Sequence, residues 1–211
     1  MTKKTVVALA LAIVLIIGCS VQGFASVSDS PANLENIENL LNSVPLAPTA
    51  PQSADLNEYL DWLVPQITQG KTSAYEKLLA CYNYIVLNTK YGSHMAGLYA
   101  QVGGATCRGI YSNHGETEGF GAVALITHVG MCNAYAAAFI LMARKVGLQD
   151  IYLEEGYFVN RSGRYNYHKW AEAKINGQLY VFDPQVEQNM SALYNNFCRL
   201  YSELPGRYVK I

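Results

Sequence analysis

Three residues in the second half of the chain are of the types that together form a thiol nucleophile, its base and the group that orients the base. Cys132 opens a long apolar segment, His168 lies in a stretch of alternating hydrophobicity, and Asp183 ends the next such stretch. A catalytic thiol needs an adjacent base, and the base needs a third group that fixes its orientation. The pattern predicts acyl transfer through a thioester on Cys132.

The position of Cys132 favours ionisation of its thiol. Segment 132–146 has helical spacing and is followed by Gly147, a residue typical of helix C-termini, so Cys132 is predicted at a helix N-terminus. The N–H groups and dipole there stabilise a thiolate and could bind an oxyanion. Gly130 would let a substrate approach the backbone. Taken alone, a cysteine on an apolar helix is more often a buried structural residue.

A predicted hairpin brings the histidine and the aspartate together. The Asn-Gly dipeptide at 176–177 is a strong signal for a two-residue hairpin loop, which would pair Ile175 with Gln178. In this register Asp183 lies diagonal to His168 on the same face of the sheet, at about 7 to 8 Å between Cα atoms. A three-residue loop would place Asp183 on the opposite face.

Periodicity predicts the elements that position these residues. Helical spacing is found at 55–64, 73–88 and 132–146, and strand alternation at 151–159, 165–175 and 178–182. Ser73 with Glu76 three residues on predicts a capping box. Residues 92–121 are rich in glycine and polar side chains, which predicts a long irregular segment that shapes a cleft.

The first 25 residues resemble an export signal. Lys3 and Lys4 precede an uncharged apolar run at 6–17, and a small-x-small cleavage site ends at Ala25. An alternative is a bacterial lipobox at 16–19, which would place a lipid on Cys19 and anchor the protein to a membrane. Either interpretation predicts a protein that is secreted or held at the cell surface.

Charge and cysteine content exclude some functions. Of 15 basic and 16 acidic residues, cleavage after Ala25 removes only two lysines, which leaves a formal charge of −3 and no basic run. The sequence therefore lacks the cluster of basic residues that is typical of nucleic-acid-binding proteins.

The cysteines that remain after this cleavage are Cys81, Cys107, Cys132 and Cys198. Four are too few and too widely spaced for a disulfide scaffold, although a single disulfide is permitted outside the cytosol.

Residues 26–54 hold four of the seven prolines and are predicted to form a linker before a folded domain at 55–211. Four aliphatic residues within the linker have helical spacing: Leu34, Ile37, Leu40 and Leu41. They predict either a short transient helix or a docking helix that covers a groove.

At these residues the sequence resembles the transglutaminase-like superfamily, within the papain-like group of thiol enzymes. The resembling segments carry glycine-x-cysteine, histidine-x-tryptophan and aspartate-proline in that order, and are 120–125, 130–136, 141–148, 168–172 and 180–184. The resemblance implies Cys132 as nucleophile, His168 as general base and acid, and Asp183 as the orienting group. It implies a secreted bacterial protein with an α+β fold. In this fold the cysteine-bearing helix packs on an antiparallel sheet that carries His168 and Asp183.

Gly130 and Trp170 are the candidate substrate-binding residues. No metal or cofactor is expected, because the histidines outside the triad lack the tight ligand spacing of a zinc site; they are His94, His114 and His128. The favoured function is a secreted thiol enzyme that attacks amide or peptide carbonyls, with hydrolysis favoured over transfer to an amine. Its expected substrates are protein or peptide amides, cell-wall peptides among them.

Two alternatives stay open. One is a catalytically inactive transglutaminase-like module that binds peptide or cell-wall components. The other is a domain in which Cys132 is tied in a disulfide and is therefore structural or redox-gated.

Overall fold

The structure, a computed structural model, describes residues 31–160, 162–190, 196–204 and 207–211. The predicted export signal at 1–25, including Cys19, lies outside the described residues. Among the helices of the described residues, none combines the length and apolar character needed to cross a membrane.

Three helices come first along the chain, and helices and strands are mixed after them. The helices are α1 Pro31–Asn42, α2 Ala54–Ile67, α3 Ala74–Asn88, α4 Cys107–Thr127, α5 Cys132–Val146 and α6 Pro184–Met190. The strands are β1 Lys90–Tyr91, β2 Gln101–Val102, β3 Ala105–Thr106, β4 Val129–Gly130, β5 Ile151–Val159, β6 Tyr165–Ile175, β7 Gln178–Phe182, β8 Arg199–Leu200 and β9 Arg207–Lys210. Two 3-10 turns lie at Ala96–Tyr99 and Tyr201–Glu203.

Five of the strands form one antiparallel sheet in the order β8-β7-β6-β5-β9. Helix α5 packs against β5 and β6 of the sheet and also against α3 and α4. Every side chain from Ala134 to Ala143 is buried, so α5 forms the centre of the hydrophobic core. The expected α+β fold, with the cysteine-bearing helix packed on an antiparallel sheet, is confirmed.

The hairpin between β6 and β7 has the predicted register. Ile175 pairs with Gln178, and the ladder continues to Ala171 opposite Phe182. Asn176 and Gly177 have φ values of 51° and 82°, as a type I′ turn requires. The predicted bounds of β5, β6 and β7 are also confirmed.

The predicted capping box at the start of α3 is present. The Ser73 hydroxyl accepts the N–H of Glu76 at 3.2 Å, and the Glu76 carboxylate accepts the N–H of Ser73 at 3.1 Å. These bonds satisfy donors that the first turn of a helix leaves without partners.

The segment at 92–121, predicted to be irregular, instead contains most of α4. The helix begins after Thr106, whose hydroxyl accepts the N–H of Gly109 at 3.1 Å. Gly115 interrupts it with φ 85° and ψ −174°. Because the two halves of α4 are offset at this kink, their apolar residues do not share one helical period, and the sequence pattern hides the helix.

The described part of the predicted linker, 26–54, is packed onto the domain. Helix α1 lies on α3, and its Leu41 is fully buried. The Ala47 N–H donates to the carbonyl of Gly147 at 3.0 Å. The packing fits a docking helix better than a short transient helix, and a role in covering a groove stays a prediction. The contact lies at the C-terminal end of α5, opposite to Cys132.

Replacing Ser73 with alanine should lower the free energy of unfolding by about 1 kcal/mol, because the first turn of α3 loses its cap. Urea denaturation followed by circular dichroism measures the change. Ser112 is exposed inside α4, where alanine is the better helix former. Ser112→Ala should therefore be as stable as the wild type or slightly more so, and equal losses in the two variants would contradict the capping role.

Candidate active site

Cys132 lies at the first position of α5, and its side chain is partly exposed. The preceding residue, Met131, occupies the N-cap and makes no side-chain hydrogen bond to the helix. A methionine cannot accept the N–H groups of the first turn as serine or aspartate would. The N-cap residue therefore leaves the N–H of Cys132 without a side-chain acceptor, although Asn133 Oδ1 accepts the N–H of Ala134 at 2.9 Å.

Gly130 holds the chain close to α5. It pairs in parallel with Tyr91 of β1, and a Cβ on Gly130 would lie 2.6 Å from the Cβ of Ala134. Only glycine permits this approach between β4 and the first turn of the helix. The structure thus gives Gly130 a packing role, and its contact with a substrate stays a prediction.

His168 and Asp183 form a buried ion pair. Nε2 of His168 lies 2.5 Å from Oδ2 of Asp183, and the two residues are 5% and 1% exposed. The other carboxylate oxygen accepts the N–H of Val186 at 3.0 Å, at the start of α6. The predicted hairpin therefore brings the two residues together as expected, and the N–H of Val186 stabilises the carboxylate as an anion.

His168 and the backbone N–H of Lys169 both act on the thiol of Cys132 and favour its ionised form. Since Asp183 holds Nε2, the nitrogen available to the thiol is Nδ1. Burial alone would raise the pKa of Cys132, but the hydrogen bond and positive charge of His168, with the Lys169 N–H, lower it below its usual value. Burial alone would lower the pKa of His168, but Asp183 and Cys132 together raise it. The two shifts belong to one coupled pair, a thiolate beside an imidazolium.

Trp170 supports the imidazole from within the fold. Its ring stacks on that of His168 with 6.2 Å between centroids and 20° between planes, and Nε1 donates to the Tyr201 hydroxyl at 3.0 Å. Trp170 is 0% exposed, so it has no surface with which to bind a substrate. The predicted substrate-binding role of Trp170 is therefore replaced by a packing role.

A charged network lies beside the thiol. Lys169 Nζ contacts the two carboxylate oxygens of Glu116 at 2.9 and 2.8 Å and a carboxylate oxygen of Glu155 at 3.1 Å. Asn133, next to the thiol, donates to Glu116 at 3.3 Å. Glu116 thus joins α4 to α5 and β6 at the site, and neither its type nor its position in the sequence indicated this role.

The other cysteines of the described residues are buried and chemically different from Cys132. All four cysteines of the described part are free thiols. Burial raises the pKa of Cys81 to about 12 and that of Cys107 to about 11, and it also raises the pKa of Cys198. In the structure Cys132 is therefore not tied in a disulfide, and it alone among them has a lowered pKa.

The sequence also gave no indication of Tyr208. Its hydroxyl donates to Oδ2 of Asp183 at 2.8 Å from the edge strand β9, which pairs with β5. The two residues are far apart in sequence, and no spacing rule joins a tyrosine in a separate strand to a strand-ending aspartate.

Cys132 should react with iodoacetamide faster than Cys81, Cys107 and Cys198 at and below pH 7. Because its pKa is lowered, the thiolate persists below the usual thiol pKa of about 8.5 and is lost only as the pH falls through the lowered value. His168→Ala removes the partner charge and should move the midpoint upward. The rate at each cysteine is measured by mass spectrometry, with His114→Ala as the control histidine variant, and an ordinary midpoint in the wild type would contradict the ion pair.

Trp170→Phe should lower the free energy of unfolding by on the order of 2 kcal/mol, because a cavity forms and an indole N–H is lost. It should also slow alkylation of Cys132, since His168 loses its stacked support. Chemical denaturation and alkylation rates measure the two effects. Trp62→Phe, in partly buried α2, is the control and should leave the alkylation rate unchanged. If Trp170→Phe left the rate unchanged as well, the support role would be wrong.

Comparison with known proteins places this geometry in a family. The sequence model of the Transglutaminase-like superfamily matches residues 62–184, a span that includes Cys132, His168 and Asp183. No curated protein matches the sequence. The crystal structure of a presumed cysteine protease from Cytophaga hutchinsonii is similar at 18% identity and a TM-score of 0.39, over 69% of this chain and 46% of that chain. This chain thus spans less than half the length of that protein. The family match covers more than half of the chain, and the chain belongs to the transglutaminase-like superfamily.

Proposed function

We propose that the protein is a thiol hydrolase that cleaves amide or peptide bonds, with Cys132 as nucleophile, His168 as general base and acid, and Asp183 as the orienting group. The observation that carries the proposal is the buried bond of 2.5 Å between His168 and Asp183, on an imidazole that also lowers the pKa of the Cys132 thiol. A structural cysteine has no need of this arrangement.

In the first step the Cys132 thiolate attacks the substrate carbonyl carbon, and a carbon–sulfur bond forms. The carbonyl π electrons move to oxygen, and we assign the N–H of Cys132 at the start of α5 as a donor to this oxyanion. The tetrahedral intermediate then expels the amine. His168 gives its Nδ1 proton to the leaving nitrogen, so the carbon–nitrogen bond breaks and a thioester remains.

In the second step a water molecule attacks the thioester. His168, now neutral, takes a proton from the water, and the carbon–sulfur bond breaks to release a carboxylic acid. Cys132 leaves as a thiolate beside the imidazolium, which restores the resting state. We favour water over an amine as acceptor because water is always present, and no amine-recognition feature could be identified in the sequence.

Asp183 keeps His168 in one orientation throughout the cycle. By accepting a hydrogen bond from Nε2–H, it directs Nδ1 at the thiol and stabilises the imidazolium each time it forms. The bond of Asp183 to the Val186 N–H holds the carboxylate in place while the charge on the imidazole changes.

We further propose that the protein acts outside the cytosol, on amides of surface proteins or cell-wall peptides. The export-signal pattern at 1–25, or the lipobox that ends at Cys19, supports this location. The absence of a basic run favours peptides over nucleic acids as substrates.

Incubation with a library of activated amide peptides should give an acyl adduct on Cys132, detected as a mass increase by intact-protein mass spectrometry. Cys132→Ala should abolish the adduct and turnover, and His168→Ala should lower kcat by about 10² to 10⁴-fold. Asp183→Asn should lower kcat as well, because the imidazole loses its acceptor.

Cys198→Ala tests whether another thiol can substitute for Cys132, and it should retain the adduct. An added simple primary amine separates the two acceptors, since an amide product formed in place of the acid would favour an amine over water. A wild-type protein that binds the peptides but never forms an adduct would reject the hydrolase and favour the inactive binding module.

A further inference from the structure

Strand β9 closes the sheet beside the candidate triad. It pairs antiparallel with β5, so that Tyr208 lies opposite Phe158 and Lys210 lies opposite Gly156. A Cβ at Gly156 would overlap the carbonyl of Val209. The glycine in β5 therefore allows β9 to approach closely, and this approach brings Tyr208 to the site.

Tyr208 contacts three members of the site. Its hydroxyl donates to Oδ2 of Asp183 at 2.8 Å. Its ring lies 4.8 Å from that of Trp170 and 6.2 Å from that of His168, measured between centroids. The family match ends at residue 184, so Tyr208 reaches the triad from a part of the chain beyond the matched region.

The hydroxyl shares one oxygen with the catalytic imidazole. Oδ2 of Asp183 meets both Nε2 of His168 and the Tyr208 hydroxyl, while Oδ1 accepts the Val186 N–H. A carboxylate oxygen with two donors holds each of them less strongly than an oxygen with one. The two donors also fix the orientation of the carboxylate group, because they approach it from different directions and leave it little freedom to rotate.

We propose that Tyr208 is a positioning residue of this site, which orients the Asp183 carboxylate and limits its hold on the imidazolium proton of His168. The proposal rests on the proposed function of Cys132, His168 and Asp183. Asp183 must orient His168 without holding its proton too strongly. An imidazolium that is bound too tightly gives up its proton slowly to the leaving amine.

Other titratable groups surround His168 and Asp183, and they come from each neighbouring element. They are Cys132 at the start of α5, Tyr82 in α3, Glu187 in α6, Tyr201 in the second 3-10 turn, and the linked charges Glu154, Glu172 and Lys210. Burial, with nearby carboxylates, raises the pKa of Tyr82, Tyr201 and Tyr208 above the usual tyrosine value. Their hydroxyls stay protonated at neutral pH, so Tyr208 serves as a donor.

The alkylation rate of Cys132 against pH tests the proposal in the full chain, with iodoacetamide as probe. In the wild type the rate should rise once as the thiolate forms and again as the imidazolium loses its proton. Tyr208→Phe keeps the ring but removes the competing donor, so Asp183 holds the imidazolium more strongly. The second midpoint should then move upward by on the order of half a pH unit. His168→Ala, which removes that midpoint, assigns it.

Tyr201→Phe is the matched control. It removes the hydroxyl of a tyrosine in the same aromatic cluster, one that bonds to Trp170 and Glu172 rather than to Asp183. Tyr201→Phe should change stability but leave the second midpoint in place. The proton on Nε2 gives an independent signature, because its NMR signal should move further downfield in Tyr208→Phe and not in Tyr201→Phe.

Replacing Tyr208 by 3,5-difluorotyrosine tests the same contact in a variant of nearly unchanged shape. The more acidic hydroxyl is the stronger donor, so the second midpoint should move downward. If the wild type shows both midpoints and neither moves in this variant, the role of Tyr208 is overturned and the proposed function still stands. A wild-type Cys132 with a single, ordinary thiol midpoint would reject the proposed function itself.

Discussion

The buried bond between His168 Nε2 and Asp183 Oδ2 is the interaction on which the rest of the site depends. A carboxylate that is 1% exposed loses nearly all its hydration, and an isolated charge in that position would be very unfavourable. The structure compensates with the imidazolium, the Val186 N–H and the Tyr208 hydroxyl. Removing any one of these donors leaves the others to stabilise the same charge, so the pair and its surroundings form one electrostatic unit.

The location of that unit follows from a single turn. Because side chains alternate across a strand, a slip of one residue in the β6–β7 register would move Asp183 to the opposite face and away from His168. The left-handed conformations of Asn176 and Gly177 fix the two-residue loop that prevents this slip. These are local rules, and for that reason the sequence alone could predict the hairpin, the pairing of the two residues and the cysteine at the start of α5.

Other parts of the site depend on contacts that no local rule describes. Trp170 shares a face with His168, as expected, but whether that face meets solvent depends on Tyr201 and Tyr208, which cover it from distant segments. The kink at Gly115 likewise breaks the period of α4, which hid both the helix and the carboxylate of Glu116 beside the thiol. Sequence periodicity shows which residues share one face of a helix or strand. Whether that face is buried depends on the element that packs against it.

The charges of the site also explain why only one of the described thiols is suited to reaction. With Cys132 and Asp183 as anions and His168 as the cation between them, the three groups carry a net charge of −1 in a largely buried position. Each anion meets backbone N–H groups: the thiolate accepts from Lys169 and Asp183 from Val186. Cys81, Cys107 and Cys198 are buried without an imidazolium partner, so desolvation dominates and raises the pKa of each thiol. The lowered pKa of Cys132 thus depends on the imidazolium beside it and not on the cysteine alone.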